Sequence, residues 1–186
     1  MKFGDIKTQI GKQVGDPELQ QIRGIVGDKF RAVMTMLLME PELYSLEEVP
    51  ECVYADIQSL TFSSRFSNYD AGTVSRVMKV INVLADPVEN GRKIYRMTEI
   101  DNTEYASCLS NSLLMPIKEE VKWYKEDKVV RFVSGSDAIR FTIVCLLNPD
   151  FDNWGEQDLI TTLNYSERFL QMCISETAKL LREYVT

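Results

Sequence analysis

Hydrophobic residues recur at helical spacing near the start of the chain. From Leu19 onward, apolar side chains follow one another at steps of three and four residues. Asp16 before Pro17 is a typical helix start, because aspartate can cap the first turn and proline is favoured at the first helical position. We therefore predict a helix from Asp16 to about Met39, preceded by an arm or a short helix over residues 1–15.

A second helical stripe closes the chain. Asn153 and Glu156 have the spacing of a capping box, which predicts a helix start. The stripe runs on toward Val185 and consists of Leu159, Leu163, Leu170, Ile174 and Leu181. We assign 153–186 as helical on this basis.

The chain between residues 41 and 70 has no single period. We include 16–60 in the helical part, with residues 43–60 forming one or two short helices that break at Pro50. Residues 62–69 are predicted as a loop.

From residue 72 to residue 148 the pattern becomes that of β-strands. Residues 73–84 are rich in valine and isoleucine and predict a strand, and the alternative is a helix over residues 74–85. Asn90-Gly91 comes before a second β-prone run, and Asn-Gly is the strongest short signal for a hairpin turn. Residues 139–147 alternate strictly and predict a strand with one apolar face. Residues 101–116 are ambiguous, with a short helix as one option.

The stretch VKWYKEDKVVRF, residues 121–132, has two interpretations. Trp123 and Tyr124 could stack on nucleic-acid bases while the basic residues contact phosphates. However, adjacent residues of a strand face opposite sides, so the two rings cannot share one platform. Nearby acidic residues also offset the lysines. We predict a β-hairpin that turns at Glu126-Asp127, with Trp123 on one side of the sheet and Tyr124 on the other.

These patterns together predict an α+β fold in a single domain, 1–186. Helices at both ends of the chain would flank a block of mainly antiparallel strands over 72–148.

Composition argues against several functional classes. The chain has 28 acidic and 21 basic residues, and its net charge of −7 is unfavourable for tight binding to nucleic acid. It contains no histidine, which removes the commonest general base and metal ligand near neutral pH. Its four cysteines are too widely spaced for a zinc knuckle, and we expect reduced core residues at Cys52, Cys108, Cys145 and Cys173.

The acidic loop near residue 150 resembles a calcium loop only in part. Asp150, Asp152 and Gly155 have the spacing of an EF-hand, but Trp154 and Thr161 stand where oxygen ligands are required. We therefore expect no metal, no cofactor and no catalytic residues. The first residues lack the apolar core of a signal peptide, and no apolar run is long enough to span a membrane, so we expect a cytoplasmic chain.

The order of the sequence motifs resembles a known family. N-G-x-x-x-Y begins at Asn90, and K-W-Y-x-x-D-K-V-V-x-F begins at Lys122. An apolar strand then ends in N-P-D at Asp150, and E-R-x-x-x-x-C-x-x-E-T-A-K-L-L begins at Glu167. In this order of elements, residues 16–186 resemble the head–tail adaptor, or connector-ring, proteins of tailed bacteriophages, in particular those of crAss-like podoviruses.

This resemblance implies a helical bundle, formed by the N-terminal and C-terminal helices, that carries a β-rich antiparallel insertion. It also implies a non-catalytic structural protein of the virion. About twelve copies would form a homo-oligomeric ring between the portal protein and the next tail ring protein. The ring would extend the DNA channel, and DNA would pass through it without specific binding. Assembly would take place in the host cytoplasm, and no membrane would be involved.

By the same analogy, two groups of residues would make contacts in the assembled virion. The first group is at the C-terminal end and consists of Leu180, Leu181, Tyr184 and Val185. These residues would contact the portal or a neighbouring subunit; alternatively, they complete the chain's own hydrophobic core. The ring-interface positions of the β-rich insertion are Asn90, Gly91, Trp123, Tyr124, Glu126 and Asp127. The alternative function is a small non-catalytic intracellular binding or regulatory module.

Overall fold

A computed structural model describes residues 1–86 and 96–185 of the chain. The fold is mixed α+β. Within the described residues the helices are α1 (Phe3–Val14), α2 (Val26–Leu38), α3 (Asn102–Ser110) and α4 (Glu167–Leu181). The strands are β1 (Val53–Thr61), β2 (Phe66–Asp70), β3 (Val77–Ala85), β4 (Arg96–Glu99), β5 (Glu120–Glu126), β6 (Val129–Ser134) and β7 (Ala138–Leu147).

The chain divides into two compact units. The first, which we call the end unit, contains Met1–Val53 and Asn148–Thr186. The second, the middle unit, contains Tyr54–Leu147. The two ends of the sequence therefore fold together, and the segment between them forms a unit of its own.

The end unit is built on three helices. The C-terminal helix α4 packs against both α1 and α2. Each helix contributes apolar side chains at steps of three and four, as expected for helices with one buried face. The fully buried ones include Ile6, Ile10, Phe30, Met34, Leu38, Leu170 and Ile174.

The helix predicted from Asp16 in fact begins ten residues later, at Val26. The Asp16 carboxylate accepts hydrogen bonds from three successive backbone N–H groups, those of Gln20, Gln21 and Ile22. Leu19 has a φ of +57°, which no right-handed helix tolerates. Asp16 thus stabilises a turn between α1 and α2. Residues 1–15, predicted as an arm or a short helix, contain the short helix α1.

The start predicted for the C-terminal helix is also wrong. Helix α4 begins at Glu167, where the Ser166 hydroxyl accepts a hydrogen bond from the Phe169 N–H. Asn153 belongs instead to a short 3₁₀ turn, and Gly155 after it has a φ of +46°. Residues 154–165 form turns rather than a continuous helical ladder. Two of their backbone N–H groups bond to the Asp158 side chain, and that of Leu159 bonds to the distant carbonyl of Met1.

The assignment of 16–60 as helical is also incorrect in its last third. The helices predicted over 43–60 reduce to two 3₁₀ turns, Leu46–Glu48 and Pro50–Cys52, followed by β1. The loop predicted over 62–69 contains most of β2. Both strands lie at sheet edges and have largely polar, exposed faces, which leaves little apolar alternation in their sequences.

The middle unit contains two sheets. The first has the strand order β1-β7-β3, and the second has the order β2-β6-β5-β4. Strand β6 pairs antiparallel with β2 and β5, and β3 pairs antiparallel with β7. Strand β4 pairs parallel with β5, which corrects the expectation of a purely antiparallel insertion. The Asn90-Gly91 turn lies outside the described residues, and the strands on its two sides, β3 and β4, belong to different sheets.

The core of the middle unit confirms the strand predictions. One apolar face of β7 is buried, as its alternation predicted, and residues 77–85 form a strand rather than the alternative helix. The rings of Phe132 and Phe141 lie 4.9 Å apart, centroid to centroid, within this core. Residues 102–110 form the short helix α3 that the ambiguous segment allowed.

Candidate functional site

The stretch 121–132 forms the predicted hairpin. Strands β5 and β6 pair antiparallel, with Trp123 opposite Phe132. They turn through Asp127 and Lys128, one residue later than predicted, because Glu126 still pairs with Val129. Asp127 has a φ of +54°, a conformation that aspartate tolerates better than most residues. Trp123 is buried in the core of the middle unit, while Tyr124 lies on the opposite face and is half-buried. The predicted division of the two rings between two faces is therefore confirmed.

The basic residues of this hairpin are largely paired with carboxylates. Lys122 Nζ lies 2.7 Å from Glu104, and Lys125 Nζ lies 3.0 Å from Glu99. Arg131 donates from Nε and Nη2 to one oxygen of Glu126, at 3.1 and 2.9 Å. These contacts raise the pKa of Lys122 and of Arg131, because the carboxylates stabilise their charged forms. The pairs leave little uncompensated positive charge to follow a phosphate backbone.

Tyr124 packs against a helix of its own unit. Its ring centroid lies 5.8 Å from that of Tyr105 on α3, and Tyr105 in turn lies 6.4 Å from Phe66 on β2. The outer face of the four-stranded sheet is thus partly covered by α3. Of the proposed hairpin contacts, Trp123 is inaccessible and Tyr124 is only half accessible, whereas Glu126 and Asp127 are exposed.

The proposed C-terminal contact residues fall into two groups. Leu181 is completely buried in the end unit, so it belongs to the chain's own core rather than to a docking surface. Leu180 and Tyr184 are each about half exposed, and Val185 is intermediate. The Lys29 ammonium lies 5.9 Å from the centre of the Tyr184 ring, which holds that ring near α2. Only the exposed pair can form an apolar contact surface.

The cysteines occupy core positions, as predicted. All four are free and buried. Burial raises the pKa of the Cys145 thiol to about 11 and that of Cys173 to about 12. At neutral pH these thiols are protonated and hence poor nucleophiles.

The acidic loop near residue 150 makes contacts within the protein. The Asp158 carboxylate bonds to the Met1 amine and to the backbone N–H groups of Ile160 and Thr161. These contacts lower its pKa, because every donor favours the charged form. Over residues 1–86 and 96–185, no three His, Cys, Asp or Glu side chains are grouped so that they could hold a metal ion.

The net charge divides unevenly between the two units. The sequence of the end unit contains 16 acidic and 9 basic residues, which gives −7. The sequence of the middle unit contains 12 of each, which gives zero. The whole net charge of the chain therefore belongs to the end unit, a distribution that the total alone does not reveal.

The structure also exposes an apolar segment that the sequence did not predict as a surface. Residues 109–117 comprise the last two residues of α3 and most of the connection to β5, and we call them the 109–117 segment. Leu113 in this segment is 89 % exposed and Ile117 is 73 % exposed. The run SLLMPI in the sequence was the available signal, but apolar residues before a proline fit a helix end equally well.

Comparisons with known proteins do not assign the chain to a family: no family model matches it, and no curated protein matches it significantly. Among the described helices, none combines the length and hydropathy needed to cross a membrane.

Proposed function

We propose that the chain is a head–tail adaptor of a tailed bacteriophage. Copies of it would form a ring of about twelve subunits between the portal and the next ring of the tail. The end unit would be the helical bundle of such adaptors, and the middle unit would be their β-rich insertion. The protein would act structurally, as a link between assemblies and as a wall of the DNA channel.

One observation carries this proposal. The two ends of the sequence fold into one helical unit, and residues 54–147 form a separate, β-rich unit. This division into two units supports the proposal, because the resemblance to ring adaptors implies a helical bundle made from the two ends of the chain and a β-rich insertion between them.

The charge distribution supports the same function. A channel wall has to let DNA move without holding it, and negative charge on the wall repels the phosphate backbone. The end unit carries the whole net charge of −7. A basic lining would instead release counterions from DNA and bind it.

The exposed pair at the C-terminal end of α4 supports a docking role for this region. Leu180 and Tyr184 remain about half exposed although Leu181 between them is fully buried. We propose that these two side chains contact the portal or a neighbouring subunit. The exposed residues Glu126, at the end of β5, and Asp127, in the turn after it, would face the next ring.

Native mass spectrometry of the purified chain with the portal assembly encoded by the same genome tests this function. We expect about twelve copies to join each portal ring. The double variant Leu180→Glu, Tyr184→Glu should lose this binding, whereas Met36→Glu, which changes another half-exposed apolar residue of the end unit, should retain it. A chain that stays monomeric and ignores the portal would favour the alternative, a small binding or regulatory module.

A further inference from the structure

Two cationic side chains of the end unit lie against one aromatic ring. The Lys7 ammonium is 4.6 Å from the centre of the Phe3 ring, and the Arg31 guanidinium carbon is 5.7 Å from the same point. In the part of the chain that the structure describes, neither cation has a carboxylate within salt-bridge distance, although acidic residues outnumber basic ones in this unit. Both side chains are partly exposed, so an ion can reach them from solvent.

The first turns of helix α2 bring the two cations near one another. A Cβ added to Gly27 would lie 3.6 Å from Lys7 Nζ and 3.7 Å from the Phe3 ring. Arg31 follows Gly27 by one turn on the same face of the helix, where the Cβ positions of residues four apart are about 5–6 Å from one another. Lys7 and Arg31 therefore flank one surface of α2.

This surface is at the positive end of the helix. Helix α2 begins at Val26, and no side chain caps its N-terminus. Asp28 in the first turn is exposed and forms no ion pair with Lys7 or Arg31. A helix N-terminus attracts anions and repels cations, so the Lys7 ammonium is repelled by the helix end as well as by the guanidinium. An anion between them would be attracted by all three positive groups.

Two buried N–H donors belong to the same cluster. Arg31 Nε and Trp154 Nε1 have no hydrogen-bond acceptor among the described residues. The Phe3 and Phe151 rings contact both side chains, since their centres are 5.7 and 5.6 Å from the guanidinium carbon and 5.5 and 4.9 Å from the centre of the Trp154 ring. Buried donors without acceptors are rare, and a bound ion is one recurrent reason for them.

We propose that Lys7, Arg31 and the N-terminus of α2 bind a phosphate group. A phosphate carries about 1.5 to 2 negative charges at neutral pH, which matches two cations. Its oxygens accept hydrogen bonds from ammonium, guanidinium and helix N–H groups alike. The ligand would be a free or terminal phosphate rather than a nucleic-acid backbone, because the net charge of −7 on the end unit repels a polyanion. This site does not depend on the ring proposed above.

Nuclear magnetic resonance titration of the full chain with inorganic phosphate tests the site. Sodium phosphate would replace sodium chloride at constant ionic strength and near neutral pH, and Trp123→Phe would assign the two indole N–H signals. We expect the Trp154 signal to shift and to saturate with a dissociation constant of roughly 1 mM. The Trp123 signal should not move, because this residue lies in the core of the middle unit.

Two substitutions of the site should change phosphate binding. Lys7→Gln should weaken it at least about tenfold, the loss expected for one charge-assisted hydrogen bond. Lys12→Gln is the matched control, because it removes the same charge from an exposed position of the same helix, and it should bind phosphate like the unmodified chain. Gly27→Asp would place a carboxylate beside Lys7 and should abolish the shift of the Trp154 signal. Urea midpoints would show that the variants fold.

Three results would overturn the site. The Trp154 signal could stay in place up to about 50 mM phosphate, which would leave the aromatic rings as the partners of the buried donors. Lys7→Gln and Lys12→Gln could bind phosphate equally well. Finally, a DNA duplex of about 20 base pairs could shift the Trp154 signal at a lower phosphate concentration than inorganic phosphate does, which would assign the cluster to nucleic acid.

Discussion

Replacing Gly135 by alanine should destabilise the middle unit. The added Cβ would lie 2.6 Å from the Ile117 carbonyl oxygen and 2.8 Å from the Pro116 carbonyl oxygen. Non-bonded heavy atoms prefer separations of about 3.5 Å or more, so one of the two backbone segments would have to move by about 0.9 Å. Both contacts are with main-chain atoms, which cannot rotate away as a flexible side chain would.

The expected cost follows from this geometry. Overpacking of a well-packed site typically costs about 1–3 kcal/mol, and we expect about 2 kcal/mol for Gly135→Ala. With a urea dependence of about 2 kcal/mol per molar, the unfolding midpoint would fall by about 1 M. Gly4→Ala is the control, because a Cβ at Gly4 meets nothing within 4 Å, and alanine favours helix α1.

The two tryptophans of the chain allow the units to be followed separately. Trp123 is buried in the middle unit, and Trp154 is buried in the end unit. In a Trp154→Phe background the fluorescence of Trp123 would report the unfolding of the middle unit during urea titration. If Gly135→Ala had the same midpoint as its parent within error, the close approach of the two loops would be refuted.

Further predictions concern the turns, the aromatic face and the thiols. Burial raises the pKa of Asp16, but its three backbone N–H donors outweigh burial and lower the pKa below the ordinary 3.8. The ionised Asp16 carboxylate therefore stabilises the folded chain above about pH 4, and this stabilisation is lost as the pH falls further. In urea titrations Asp16→Asn should weaken this acid dependence. Tyr105→Ala should cost about 2 kcal/mol by urea denaturation, because it removes the ring that packs on Tyr124. A Tyr105→Ala protein of unchanged stability would contradict that packing. A thiol reagent such as Ellman's should leave Cys145 and Cys173 unmodified in the folded chain and modify them in urea; rapid modification without urea would refute their burial.

The parts of the fold that local patterns decide were predictable from the sequence. The hairpin at 121–132 and the strand at 139–147 alternate between apolar and polar residues, and alternation is a direct consequence of strand geometry. The reduced, buried cysteines also followed from composition. These features depend on neighbours close in sequence.

The helix boundaries could not be predicted, because single side chains stabilise turns there. Asp16 is a good helix cap in isolation, yet its carboxylate binds the N–H groups of a turn that ends before α2. Asn153 and Glu156 likewise match a capping box, but Gly155 between them takes a left-handed conformation. At Asp16, capping chemistry therefore interrupts a helical pattern instead of starting it.

The candidate contact surfaces were only partly predictable. Leu181 follows the same apolar pattern as its neighbours, and only the packing of α4 distinguishes this buried residue from the exposed Leu180. Leu113 and Ile117 look like core residues in the sequence, since leucine and isoleucine are usually buried. The backbone around Ile117 lies against Gly135 and Ser136, which are distant in sequence, so local patterns could not show this packing.

The most direct test of the proposed function is an electron-microscopic reconstruction of the chain bound to the portal of the same phage. We predict a ring of about twelve copies below the portal, coaxial with its channel, in which the end unit lies along the DNA path. A portal preparation that shows no added density at saturating concentrations of folded chain would contradict the adaptor function.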